Sequence, residues 1–148
     1  MARILLVDDD RAIRTTIELL LKRAGHQVVA APGGREGLTK IETERFDLLI
    51  VDIFMPGMDG LETIQKVHQL QAELPIVVMS GMVFRSASMP PPDFLAMATK
   101  LGAVNSLRKP FRPHELLAAV DDSLKLSSNS AATTFRQQVA VRNGKDGA

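Results

Sequence analysis

The sequence predicts an α/β fold, a parallel sheet with helices packed on both of its faces. Three observations carry this expectation. Short apolar runs alternate with amphipathic stretches five times along the chain. Runs such as Leu48-Leu49-Ile50-Val51 are continuously apolar, the pattern of a strand covered on both sides. Two of these runs, the first and the third, stop at carboxylates, Asp8 and Asp52, where strands of an open α/β sheet reach their ligand-binding edge.

Ile4-Leu5-Leu6-Val7 is the first strand and ends in Asp8-Asp9-Asp10. Ile13, Ile17, Leu20, Leu21 and Ala24 recur at helical spacing, with Asp10 placed as a cap and Gly25 as the stop. Gln27–Ala30 is the second strand. The glycines of Pro32-Gly33-Gly34 form a turn rather than a dinucleotide fingerprint, and Leu38 and Ile41 mark a helix ending near Glu44. The third strand runs into Asp52, and the chain turns at Pro56-Gly57. Asp59 with Glu62 makes a capping box for a helix whose apolar side is Leu61, Ile64 and Val67 or His68.

Pro75–Met79 is the fourth strand, ending in Ser80-Gly81. An irregular stretch from Met82 closes at Pro90-Pro91-Pro92, and Asp93 then caps a helix through Phe94, Leu95, Ala98 and Leu101 that Gly102 ends. Ala103–Leu107 is the weakest strand and leads to Arg108-Lys109-Pro110. Pro113 suits the first turn of a final helix that turns Leu116, Leu117, Val120 and Leu124 inward. Residues 127–148, rich in Ser, Asn, Ala, Thr and Gly, are expected to be a disordered tail too short for a second domain.

At 148 residues the chain is long enough for one domain with a real core. Its net charge of +1 gives no electrostatic case for a nucleic-acid or membrane partner, and neither is expected. The absence of cysteine rules out disulfide and thiolate chemistry and suits a reducing compartment. The apolar start is too short for a signal peptide and no later run could span a bilayer, so a cytoplasmic location is expected.

Right-handed crossovers would bring all the strand ends to one edge. Asp8 and Asp9 then arrive from the first strand, Asp52 from the third, Ser80 from the fourth and Lys109 from the fifth. Singly, each has an ordinary explanation as a cap, a turn residue or a solvated lysine. Their joint arrival does not. Two like charges 4 Å apart cost about 4 kcal/mol at an effective dielectric near 20, and a hard divalent cation such as Mg²⁺ removes that cost. A hydroxyl and an ammonium opposite are what the oxygens of a phosphoryl group need.

Over about residues 2–126 the chain resembles the receiver domains of bacterial two-component response regulators. The acidic pair, the Asp52 strand followed by Met-Pro-Gly-Met-Asp-Gly, the Ser80 hydroxyl and Lys109-Pro110-Phe111 stand in the family's order. The resemblance implies a flavodoxin-like (βα)5 fold over residues 1–126, in which Asp52 is the phosphoacceptor. It implies a Mg²⁺ ion bound directly by Asp9, Asp52 and the backbone carbonyl of Phe54, with Asp8 helping through water. Ser80 would bond the phosphoryl group, Lys109 would pair with it, and the Lys109-Pro110 bond would be cis. The expected function is that of a stand-alone receiver. It would catalyse its own phosphorylation from the phosphohistidine of a kinase or phosphotransfer protein, reset by slow autodephosphorylation, and signal to a downstream protein. A homodimer through the face of the fourth helix, fifth strand and fifth helix is a further expectation.

Three features depart from the family pattern. Ser106 stands where the last strand usually carries an aromatic switch residue. The loop from Met82 to Pro92 is several residues longer than is usual in the family, and Phe84 or Phe94 is a candidate to take over part of the switch, so alanine at each should weaken phosphorylation-dependent partner binding. Phe54 and Met82, beside the site, cannot orient an attacking water, which predicts a long-lived phosphoryl group that Phe54→Asn with Met82→Glu would shorten. Two other readings compete. Asp8-x-Asp10 resembles the nucleophile and acid of haloacid-dehalogenase phosphohydrolases, and a pseudo-receiver would bind partners without phosphorylation. His26, His68 and His114 lack the spacing of a transition-metal site.

Overall fold

The computed structural model describes residues 2–53, 60–81, 99–100 and 102–126. Each apolar run of the sequence becomes a strand: β1 (Arg3–Val7), β2 (Gln27–Ala31), β3 (Leu48–Asp52), β4 (Ile76–Ser80) and β5 (Ala103–Arg108). The amphipathic stretches become α1 (Arg11–Arg23), α2 (Gly34–Thr43), α3 (Gly60–Leu70) and a last helix over 113–126. All strand pairs are parallel, in the order β2-β1-β3-β4-β5, the doubly wound order of flavodoxin-like folds.

The continuous apolar runs exist because both faces are covered. Leu5, Val7, Leu49, Val51, Ile76 and Val78 pack with Leu38 and Ile41 of α2 and Ile64 and Val67 of α3. Their strand neighbours Ile4, Leu6, Leu48, Ile50, Val77 and Met79 pack with Ile17 and Leu21 of α1 and with Leu116 and Val120 of the last helix. Each fully buried aliphatic side chain contributes about 1.5–3 kcal/mol, so the two layers fix the strand register.

Local signals act as expected. The Asp10 carboxylate accepts from the Ala12 and Ile13 N–H groups and caps α1. Gly25, at φ +93°, ends the same helix in a left-handed conformation that a side chain would strain. β5 alternates buried Ala103 and Leu107 with exposed residues because it is an edge strand, and its pairing with β4 shifts between Ile76 and Val77, leaving Val104 unmatched. In α3 it is Val67 that is buried, whereas His68 is exposed. The turn at Pro56-Gly57, the Asp59 cap, the 82–92 loop, Phe84 and almost all of the helix read from Asp93 lie outside the described residues, as does the tail.

Candidate functional site

Register brings the chemistry together. Val7 pairs with Val51, so Asp8 and Asp52 leave adjacent strands side by side. Asp52 is level with Met79, which puts Ser80 one residue further along the edge, and Ser80 in turn pairs with Arg108, next to Lys109. This is the crevice where the strand order reverses between β1 and β3, the place where ligands bind in open α/β sheets.

Asp8, Asp9 and Asp52 converge there, each offering a carboxylate oxygen within 4.8 Å of the others. Asp8 and Asp52 are buried and Asp9 is exposed. Lys109 Nζ donates to Asp8 Oδ2 at 2.7 Å and to Asp52 Oδ2 at 2.8 Å, bridging the two buried carboxylates. Asp8 Oδ1 accepts from the Asp10 N–H at 2.8 Å. The Lys109 N–H donates to the Ser80 carbonyl at 2.7 Å, so the hydroxyl-bearing residue and the ammonium-bearing residue are tied together by their backbones. The Lys109-Pro110 peptide bond is cis, as the sequence led us to expect.

Burial alone would lower the proton affinity of Lys109. Its hydrogen bonds to Asp52 and Asp8, reinforced by their charges, outweigh that and hold its pKa above the ordinary 10.5. A cation with a raised folded-state pKa contributes its full stabilisation below the unfolded value and loses it as pH rises through the folded one. The stability difference between wild type and Lys109→Met in chelator should therefore stay constant from neutral pH up to 10.5 and shrink above it. Urea midpoints measured across that range check this.

Two features were not read from the sequence. Arg14 Nη1 donates to the Asp8 carbonyl at 2.7 Å, an arrangement that helical spacing from Asp10 permits but does not announce. Gly60 opens α3 directly against the end of β3, its N–H donating to the Ile53 carbonyl at 2.7 Å. The Asp10 carboxylate accepts from the Ala12 and Ile13 N–H groups, which is the capping role read from the sequence. Phe54 and Met82 lie outside the described residues, whereas Ser106 is exposed on β5.

Comparison with known proteins agrees with this geometry. The family model for the response regulator receiver domain matches residues 4–121. The chain is 32% identical over 132 residues to the alkaline phosphatase synthesis transcriptional regulatory protein PhoP of Bacillus subtilis, covering 89% of this chain and 52% of that protein. It is 32% identical over 142 residues to the transcriptional regulatory protein GlrR of Escherichia coli, covering 96% of this chain and 30% of that protein. The chain thus spans about half of the length of the first of these relatives and under a third of the second. A CheY-like response regulator receiver domain protein from Methanospirillum hungatei superposes with a TM-score of 0.79 at 31% identity, over 88% of this chain and 98% of that one. With the fold, the site geometry and the family match in agreement, this chain belongs to the response regulator receiver domains of two-component systems.

Proposed function

We propose that Asp52 accepts a phosphoryl group from the phosphohistidine of a histidine kinase or phosphotransfer protein, in a reaction that needs Mg²⁺. The observation that carries this reading is the cluster of three carboxylates at the carboxyl edge of the sheet, the two buried ones bridged by Lys109. The donor set fits the ion, because a hard divalent cation takes oxygen ligands and three carboxylates, two of them buried, converge here. Asp9, Asp52 and the Phe54 carbonyl would hold it directly, and Asp8 through water. A bound Mg²⁺ would neutralise charge on the carboxylates and on the transferring group.

An Asp52 carboxylate oxygen forms the new bond to phosphorus as the donor's P–N bond breaks, and the departing imidazole keeps the electron pair and takes up a proton. Lys109 transfers its ammonium from the carboxylates to the phosphoryl oxygens, and the Ser80 hydroxyl donates to another of them. Because Ser80 and Lys109 are joined through their backbones, β4 and β5 respond as a unit. A cavity of about 430 Å³, lined in part by Ile13, Thr16, Pro110 and Phe111, opens beside Lys109 and gives a protein donor an apolar seat. Readout is proposed through protein contacts, including pairing of two copies on the β5 side, and not through DNA binding by this chain.

Incubation with acetyl phosphate and Mg²⁺ tests the reading. One phosphoryl group per chain is expected, none with excess chelator, and metal-independent uptake would contradict it.

A further inference from the structure

We propose that Arg14 is a positioning residue for the divalent-metal site: by bonding the Asp8 carbonyl it holds the Asp8-Asp9-Asp10 turn in the shape that aims Asp9 at the cation. The inference rests on the metal reading given under the proposed function.

The turn leaves β1 just past its last paired residue, Val7. Its first residue is anchored on every polar side. The Asp8 N–H donates to the Ala31 carbonyl at 3.2 Å, Oδ1 accepts from the Asp10 N–H, and Oδ2 accepts from Lys109. Its third residue is fixed as the α1 cap. Among the described residues, Arg14 is the donor that satisfies the remaining group, the Asp8 carbonyl. Asp9 is exposed, so its direction is set by the backbone on either side of it rather than by packing. Arg14 sits on the first full turn of α1, with its N–H on the Asp10 carbonyl at 3.0 Å. Its guanidinium therefore ties the helix to the strand end across the turn.

Two effects of removing Arg14 oppose each other. Taking a cation away from the neighbourhood would by itself tighten metal binding, but the guanidinium is only half-buried and screening weakens that effect. Loosening the turn weakens binding, and outer partners of metal ligands typically govern affinity by about 10–100-fold. The sign of the change decides between them.

Mn²⁺ binding, followed by electron paramagnetic resonance on the full chain, is the test. Arg14→Met is expected to bind about tenfold more weakly than wild type. Arg14→Lys keeps the charge and a donor and should fall between the two. Urea unfolding of both variants should remain cooperative. An Arg14→Met chain that binds within about twofold of wild type, or more tightly, overturns the inference. So does an Arg14→Lys chain no better than Arg14→Met. Absence of Mn²⁺ binding by the wild type would overturn the metal reading itself, a result distinguishable from either.

Discussion

Gly60→Ala is expected to destabilise the protein by about 3 kcal/mol or more, at the upper end of what overpacking costs. A Cβ at Gly60 would lie 2.2 Å from the Asp52 carbonyl oxygen and 2.3 Å from Ile53 Cα. Both are backbone atoms at the end of a fully buried strand, so neither can swing aside as a flexible side chain would. Relief requires α3 to move off β3, which costs the packing of Ile64 and Val67 against the sheet and breaks the Gly60 N–H bond to Ile53. The same shift displaces Asp52, so stability and metal binding should fall together. Gly81→Ala, where nothing among the described residues lies within 4 Å of the added Cβ, is the control and should change stability by no more than about 0.5 kcal/mol. Guanidinium unfolding of the three chains measures this, and equal stability of Gly60→Ala and wild type would contradict the close approach of α3 to β3.

Lys109→Met is expected to cost about 3 kcal/mol in chelator and less in millimolar Mg²⁺. The side chain of Lys109 is only 13% exposed, and it contacts carboxylates that are 0% and 8% exposed. Methionine fills the same space without the charge. Removing one partner from a buried ion pair typically costs about 3–5 kcal/mol because the opposite charge stays behind, and here two carboxylates lose their shared cation. A divalent ion that binds the folded chain restores stability in proportion to the logarithm of its concentration over its Kd. Mg²⁺ stabilises both chains, but the variant, which lacks the competing Lys109 ammonium on Asp8 and Asp52, should bind it more tightly. The gap between variant and wild type should therefore narrow as Mg²⁺ is added. A gap that is absent in chelator, or unchanged by Mg²⁺, would contradict the bridging role.

What the sequence disclosed and what it withheld follow one physical division. β1, β3 and β4 were legible because burial on both faces demands unbroken apolar runs, and α1 because Asp10 caps it while Ile17 and Leu21 repeat at helical spacing. The arrival of Asp8, Asp52, Ser80 and Lys109 at one edge was legible because each stands at a strand end, and parallel strands share an edge. The order that sets β1 beside β3 does not follow from alternation alone; it came with the family resemblance. Pairwise geometry was not legible at all. Neither the Lys109 bridge to both carboxylates, nor Arg14 on the Asp8 carbonyl, nor the close approach at Gly60 has a signature in composition or spacing, because each depends on how finished elements dock.

The most direct test of the account is the intact mass of wild type, Asp52→Asn and Asp8→Asn after incubation with acetyl phosphate and Mg²⁺. The account predicts a single phosphoryl adduct on the wild type, none on Asp52→Asn, and a slower adduct on Asp8→Asn, whose altered residue lies beside the acceptor without being it. An adduct that persists in Asp52→Asn and disappears in Asp8→Asn would place the nucleophile on β1's turn and contradict the central claim.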